Sequence, residues 1–175
     1  MAVPLLVVVT GMPSSGKTTV AEALARELQL PLLAKDTAKE SLYDTLGAGD
    51  VEWSGRLGSA AYALIFAFGR AFLGAGVSLV VEANFFRSQA SELSTLPAHR
   101  TVQLHCHAPL GVLLARYAAR ERHAGHHDTE KIAELPQRFA SGTHEPLELD
   151  GEVISLDTTQ PVDVGALAAR IRPLL

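Results

Sequence analysis

Cysteine is almost absent from this chain of 175 residues. The lone Cys106 excludes an internal disulfide, as is typical of a protein kept in a reducing compartment. Cys106 lies in the strand-like run TVQLHCHA, where a small buried side chain is expected more often than a reactive thiol. We therefore predict a structural role for Cys106.

An excess of positive charge is also lacking. Lys and Arg together number 15 and Asp and Glu number 19, which gives a net charge of −4. This balance provides no overall basic field that would attract nucleic acid or an anionic membrane. The sequence argues against nucleic acid as a partner and leaves a homodimer open.

A leader and a membrane span are not indicated either. The first residues lack the basic stretch and the small-residue cleavage site of a signal peptide. Residues 63–81 approach the length of a transmembrane helix, but Arg70 lies near the centre and three glycines interrupt the stretch. We therefore expect a buried helix followed by a buried strand, no membrane contact and a cytoplasmic protein.

Strand-like and helix-like segments alternate along the chain. Short apolar runs near residues 3–9, 30–36, 77–83, 101–108 and 151–157 are typical of strands buried on both faces of a parallel sheet. Helical periodicity is found at 17–28, 37–46, 56–73, from 109 onward, at 129–139 and at 161–171, with a polar loop at 48–55. The pattern predicts one α/β domain over residues 1–175, with helices on both faces of the sheet.

The stretch directly after the first strand, residues 11–18 (GMPSSGKT), matches G-x-x-x-x-G-K-[ST] at every fixed position. Bare glycine backbone lets several N–H groups converge on a phosphate, and the following helix adds its positive end. Lys17 would reach the β- and γ-phosphates, and the Thr18 hydroxyl would bind Mg²⁺. The alternative is a plain strand–helix turn with an exposed lysine. The predicted nucleotide-binding residues here are Gly11, Met12, Pro13, Ser14, Ser15, Gly16, Lys17, Thr18 and Thr19.

Polar side chains follow the second strand, where a parallel sheet places its ligands. Asp36 could accept the proton of an acceptor hydroxyl as the γ-phosphoryl group departs. Lys39, one helical turn further, would face the same way and steady the transferring group. The alternative for Asp36 is a helix N-cap, and the two roles are compatible.

The third strand also ends on polar residues. Glu82 could hold magnesium, directly or through water, or orient the attacking group. Asn84, Phe85 and Phe86 are interpreted as part of the substrate wall, and Arg87 as a grip for an anionic substituent. The alternative for the two phenylalanines is ordinary loop packing.

Arginines and histidines cluster after the fourth strand. Arg116 and Arg120 share a helix face by their spacing of four, and they could neutralise the charge that develops during phosphoryl transfer. The alternative is a solvated helix face. His123, His126 and His127 suggest a metal site, but their spacing lacks a zinc-type partner pair, so a polar lid loop is favoured.

Together, the blocks GMPSSGKTT, KDTAKESLYDTLG, VVEANF, RYAARERHAGHHD and LDTTQPVDV resemble the small P-loop kinases of the AAA_33 and chloramphenicol-phosphotransferase-like group. That group is related to zeta-toxin and polynucleotide-kinase domains. The resemblance extends from Val3 to about Ile171. It implies a P-loop three-layer sandwich with a five-stranded parallel sheet, similar to adenylate kinase, and a short helical lid at about residues 116–139.

The resemblance also implies ATP and Mg²⁺ as cofactors and transfer of phosphate to a small-molecule hydroxyl. In relatives, the aspartate matching Asp36 is the base, and lid arginines matching Arg116, Arg120 and Arg122 contact the phosphates. The segment matching Asp157, Thr158 and Pro161 lines the adenine.

Two departures and two alternatives accompany this expectation. Glu82 stands where many relatives have aspartate, and Lys39 stands where polynucleotide kinases have arginine. The predicted function is an ATP-dependent phosphotransferase acting on a metabolite, nucleoside or antibiotic. The alternatives are a kinase of a nucleic-acid 5′-hydroxyl or nucleotide sugar, and a non-catalytic nucleotide-dependent switch.

Overall fold

The computed structural model describes residues 3–97, 99–120, 123–126 and 132–175. Five parallel strands form one sheet in the order β2-β3-β1-β4-β5. The strands are β1 (Leu5–Gly11), β2 (Leu32–Ala34), β3 (Leu79–Glu82), β4 (Arg100–His107) and β5 (Glu152–Asp157). Because β1 lies in the middle, the loop that follows it emerges at the centre of the sheet's carboxyl edge.

Seven α-helices connect and flank the strands in the described part of the chain. They are α1 (Lys17–Leu28), α2 (Lys35–Leu46), α3 (Val51–Gly74), α4 (Ala90–Ser94), α5 (Leu110–Ala119), α6 (Leu135–Ala140) and α7 (Val164–Ile171). Single 3₁₀ turns cover Arg87–Gln89, Ala124–His126, Ile132–Glu134 and Arg172–Leu174.

The core has two halves, one on each face of the sheet. Every residue of β1 is buried, as expected for a central strand covered on both sides. Leu5, Val7 and Val9 pack with α1 and α7 on one face, whereas Leu6 and Val8 pack with α3 and α4 on the other. The fold is therefore the predicted three-layer α/β sandwich.

Helix α3 begins earlier than the sequence predicted. Asp50 is its N-cap, and the Asp50 Oδ1 accepts a hydrogen bond of 2.8 Å from the Trp53 backbone N–H. Most of the predicted polar loop at 48–55 is thus helical, and the prediction was wrong there. The consequence is that Ser54 and Gly55 sit on a helix face that looks into the site.

Two other predicted boundaries also differ. Helix α2 starts directly after β2, with Ala34 as its N-cap, so Asp36 lies in the first turn and is not the cap. The short helix α4 and the turn before it were not predicted, because so few residues carry no clear periodicity. The helix predicted at 129–139 is α-helical only from Leu135, and residues 127–131 lie outside the described residues.

Helix α3 is long and apolar enough to cross a membrane by length and composition alone. Its residues Ile65 and Leu73 are buried in the core against β3. A core helix of a soluble protein passes the same test, so this finding carries little weight. The cytoplasmic location stays a prediction.

Candidate active site

The loop between β1 and α1 has a backbone that only small residues allow. Gly11 has φ +142° and Gly16 has φ +79°, conformations that L side chains rarely adopt. A Cβ on Gly11 would lie 2.1 Å from the Cys106 carbonyl oxygen. Glycine is therefore required at residue 11 by both conformation and space.

Lys17 lies buried under this loop. Its Nζ donates a hydrogen bond of 3.2 Å to the Met12 carbonyl oxygen and lies 4.0 Å from Oε1 of Glu82. Glu82 is 2% exposed, and the pairing of Val9 with Glu82 in the sheet puts it beside the loop. The Lys17 ammonium group is therefore close to the loop, and its flexible side chain can turn it toward a phosphate bound there.

The loop fits a polyphosphate. The Ser14 hydroxyl lines the cavity above the loop, is buried and has no hydrogen-bond partner among the described residues, which is costly unless a ligand supplies one. The first turn of α1 adds the backbone N–H donors of a helix N-terminus. Thr18 lines the cavity above the loop, where its hydroxyl could hold Mg²⁺, whereas Glu82 does not line it.

Three cavities lie in a row along the carboxyl edge of the sheet. The central cavity, of 670 Å³, lies over the loop and is bounded by Lys17, Thr18, Asp36 and Arg116 among others. The side groove, of 560 Å³, shares Gly16, Thr19 and Arg116 with it. The inner cavity, of 280 Å³, shares Pro13, Asp36, Asn84 and Arg120 with the central cavity.

Asp36 and Arg120 lie at the junction of the central and inner cavities. The Lys35 Nζ is 3.0 Å from Asp36 Oδ1, in a mostly buried pair. The guanidinium carbon of Arg120 is 3.8 Å from the centre of the Tyr117 ring, a cation–π contact that fixes its plane. A carboxylate and a guanidinium therefore face the point where the two cavities meet.

Arg116 lies between the central cavity and the side groove. Its guanidinium donates to the Oγ1 of Thr158, at 3.2 Å, and to the Thr158 carbonyl oxygen, at 2.6 Å. The loop after β5 is thereby tied to α5. Thr158 and Pro161 line the side groove.

Lys39 is the one buried residue of α2. Its Nζ donates to Ser54 Oγ at 2.7 Å, and Ser54 Oγ donates in turn to the Gly125 carbonyl oxygen at 2.7 Å. Lys39 also lines the inner cavity. Ser54 was missed by the sequence interpretation because it was assigned to a loop.

The histidines after α5 dock on α2. His126 Nε2 is 2.7 Å from Glu40 Oε1, and His123 Nε2 is 2.9 Å from Asp44 Oδ1. No group of three metal-type ligands occurs among the described residues. His127 and Arg122 lie outside the described residues.

Tyr62, on α3, was not singled out from the sequence. Its hydroxyl donates to the Asn84 carbonyl oxygen at 2.9 Å and its ring lines the inner cavity. Burial raises the pKa of Tyr62 well above its usual range, and the Asp36 and Glu82 carboxylates add to the rise. The spacing of Ser54, Gly58 and Tyr62 by four residues on one helix face is a signal that could have identified it.

The predicted site residues Phe85, Arg87 and Asp157 do not line the three cavities. The Phe85 side chain is fully buried in the core, 5.9 Å from the Tyr62 ring between centroids, whereas Phe86, predicted together with it, lines the inner cavity. Arg87 is exposed on a 3₁₀ turn and lines none of the three cavities. Asp157 is exposed and its Oδ1 accepts a hydrogen bond of 2.9 Å from the Thr159 N–H. This bond lowers the pKa of Asp157. Ligand contacts of these three side chains stay a prediction, and the buried Phe85 side chain is turned away from the cavities.

Some loop residues can contribute only backbone groups. The Met12 side chain is buried with Leu113 and Tyr117, and Gly11 and Ser15 do not line the central cavity. Cys106 is fully buried, and burial raises the pKa of its thiol to about 12. An inert structural thiol was predicted, and such a pKa keeps it protonated.

This fold and this loop define a P-loop kinase class of protein. The chain belongs to the AAA_33 family, whose profile, described as an AAA domain, matches residues 6–141. A search of curated protein sequences finds no match.

Solved structures with the same fold are numerous. A protein of Chloroflexus aurantiacus j-10-fl, described as a candidate kinase, is 36% identical over 99% of both chains, with a TM-score of 0.89. A sugar kinase of Janibacter sp. HTCC2649 is 25% identical, with 98% of this chain and 93% of that chain covered and a TM-score of 0.64. A gluconokinase of Sinorhizobium meliloti 1021 is 19% identical over 98% of both chains, with a TM-score of 0.56, and shares the fold.

Proposed function

We propose that this protein is an ATP- and Mg²⁺-dependent phosphotransferase that moves the γ-phosphoryl group to a hydroxyl of a small molecule. The observation that carries this proposal is the row of three cavities, with Asp36 and Arg120 shared by the central and inner ones. Phosphoryl transfer needs two substrates to meet in line at one point. The junction of the two cavities provides such a point.

ATP would occupy two of the cavities. The triphosphate lies over the β1–α1 loop, where Lys17, the backbone amides and the helix N-terminus offset its charge. The base and ribose lie in the side groove, against Val20, Ala23 and the segment 158–162. When bound, Mg²⁺ would neutralise phosphate charge, with Thr18 as a direct ligand and Glu82 acting through water or through Lys17.

The acceptor would enter the inner cavity with its hydroxyl toward Asp36. As the acceptor oxygen bonds to the γ-phosphorus, the bond from that phosphorus to the bridging oxygen breaks, and ADP leaves with the electron pair. The hydroxyl proton passes to the Asp36 carboxylate. Arg116 and Arg120 neutralise charge on the equatorial oxygens.

The neighbours support this class of reaction. The relative at 36% identity is described as a candidate kinase, and the Janibacter protein as a sugar kinase. The inner cavity, at 280 Å³, lies just below the range of about 300–1,000 Å³ typical of ligand pockets. That size favours a small metabolite over a nucleic-acid end.

A screen of acceptors tests the proposal. The purified chain with ATP and Mg²⁺ is incubated with sugars, sugar acids, cyclic polyols, nucleosides and antibiotics, and ADP release is measured against the background without acceptor. We expect at least one acceptor to stimulate ADP release and to gain one phosphate by mass spectrometry. Tight ATP binding without any acceptor phosphorylation, together with a protein partner on pull-down, would instead support a nucleotide-dependent switch.

A further inference from the structure

The residues that line the inner cavity indicate the chemistry of its ligand as well as its size. If the proposed function is correct, on which this inference rests, the cavity holds the phosphoryl acceptor. Its volume of 280 Å³ is near the lower end of the range of about 300–1,000 Å³ typical of ligand pockets. The acceptor is therefore a small metabolite, and the lining residues indicate its chemistry.

The described lining of the inner cavity is more positive than negative. Asp36 supplies the one carboxylate. The cationic side chains that line it are Lys35, Lys39, Arg120 and Arg138.

The nucleotide and the fold account for two of these cations. Arg120 also lines the central cavity, where the γ-phosphate is expected. Lys39 is 4% exposed and is held by its hydrogen bond to Ser54, which links α2 to α3. Lys35 and Arg138 line the inner cavity but not the central one.

Arg138 is suited to bind an anion. It lies on α6 and, among the described residues, its side chain donates one hydrogen bond of 2.6 Å, from Nη2 to Glu134 Oε2. Glu134 itself does not line the cavity. A guanidinium presents five N–H donors in a planar fork, so one such bond leaves donors for a planar carboxylate. Lys35 adds a second positive charge on the same lining, with its Nζ next to Asp36.

Two glycines of helix α3 leave space in the inner cavity for a ligand. Gly55 and Gly58 lie in the helix interior and line the inner cavity, and a Cβ on either would meet nothing within 4 Å. Each interior glycine costs about 1 kcal/mol of helix stability relative to alanine. Because no packing neighbour in the described part of the chain requires these glycines, space kept for a ligand best explains their bare surface.

We infer that the acceptor is a small hydroxy acid. Its carboxylate binds Arg138 and the Lys35 ammonium, and its reactive hydroxyl faces Asp36. The two ends of one molecule then satisfy the two different functions that the cavity offers, an anion site and a general base.

Matched acceptor pairs test this inference. A set of aldonic acids and cyclic hydroxy acids, each paired with its uncharged amide or methyl ester, is assayed with ATP and Mg²⁺ for acceptor-dependent ADP release. We expect kcat/KM at least tenfold higher for an acid than for its neutral counterpart. Arg138→Met should raise the KM for the acid about tenfold or more, leave the KM for ATP within about twofold, and nearly abolish the preference for the acid.

Two further variants distinguish a loss of acid binding from a loss of folding. Arg138→Lys retains the positive charge and should restore part of the preference for the acid. Arg170→Met removes an exposed arginine that pairs with Glu152 away from the three cavities and should leave all constants unchanged. Thermal unfolding of each variant shows whether a loss reflects the fold.

The outcomes separate the two proposals. Equal use of neutral and acidic acceptors, a preference for phosphorylated sugars, or an equal effect of Arg138→Met on acid and ester would overturn the hydroxy-acid inference and leave the kinase function standing. No acceptor-dependent ADP release with any compound of either panel would overturn both.

Discussion

Ser54 Oγ donates a hydrogen bond of 2.7 Å to the carbonyl oxygen of Gly125, a residue 71 positions further along the chain. The same hydroxyl accepts the bond from the buried Lys39 ammonium. Helix α3 is thereby joined to α2 and to the 3₁₀ turn Ala124–His126. His126 in this turn pairs with Glu40, and His123, directly before the turn, pairs with Asp44.

Ser54→Ala should therefore loosen the turn and lower stability. The substitution removes a buried hydroxyl with two hydrogen bonds and leaves the Lys39 ammonium and the Gly125 carbonyl one partner short. We expect a loss of about 1–3 kcal/mol in the free energy of unfolding. Denaturant unfolding measures this loss.

The matched control for Ser54 is Ser41→Ala. Ser41 is an exposed helical serine whose Oγ donates to the Thr37 carbonyl oxygen, so its removal should change stability by no more than about 0.5 kcal/mol. Equal effects of the two substitutions would contradict the linking role of Ser54.

Asp36→Asn should abolish most of the turnover and spare ATP binding. The amide keeps the size of the side chain and an oxygen for Lys35, but it cannot take the acceptor proton. We expect kcat to fall by roughly 10²–10⁴-fold, with the Kd for ATP within about threefold of wild type by calorimetry. Asp163→Asn, which alters the N-cap of α7, is the control that should retain activity. Full turnover of the Asp36 variant would mean that another group accepts the proton.

Gly11→Ala should disrupt the phosphate-binding loop. The new Cβ would lie 2.1 Å from the Cys106 carbonyl oxygen and the residue would keep φ +142°, so β1 and β4 would have to separate locally. We expect a loss of stability of at least about 2 kcal/mol, and ATP binding too weak to measure by calorimetry.

Gly47→Ala is the control that measures the backbone strain of a positive φ without the steric clash expected at residue 11. Gly47 has φ +94°, but a Cβ there meets nothing within 4 Å. Its cost should stay near 1–2 kcal/mol, roughly the strain of a positive φ alone. If Gly11→Ala cost no more than Gly47→Ala, the close approach to β4 would not matter.

His144 should make the fold sensitive to acid. The side chain is 3% exposed, with its ring 5.2 Å from the Phe86 ring between centroids. Burial lowers the pKa of His144 to about 4, and the charges of Lys17 and Arg138 add to the shift. Between pH 4 and the ordinary histidine pKa of about 6.5, only the unfolded state binds this proton, so stability rises with pH in that range.

Lowering the pH from 6.5 to 4 should therefore remove on the order of a few kcal/mol through this one group. His144→Phe removes the titrating group and keeps an aromatic ring beside Phe86. We expect the variant to lose less stability than wild type over that range, as measured by denaturant unfolding at fixed pH values. Parallel pH curves for the two proteins would contradict the assignment.

Much of the fold could be predicted because it depends on neighbouring residues. The parallel sheet and the three-layer sandwich follow from short apolar runs that alternate with helical periodicity, and both were confirmed. Errors occurred at element ends, as at Val51, where one capping aspartate extends α3 back into a segment that looks polar.

The candidate site also has one part that depends on neighbouring residues and another that depends on distant ones. By itself, the sequence determined the phosphate-binding loop, because glycine conformations, the lysine and the following helix lie within eight consecutive residues. Only the tertiary structure decided that Phe86 and not Phe85 lines the inner cavity, and that Ser54, Tyr62 and Arg138 join Asp36 there. Adjacent residues at the end of a strand point in different directions, and contacts between distant helices depend on how whole faces pack against the sheet, which no local pattern records.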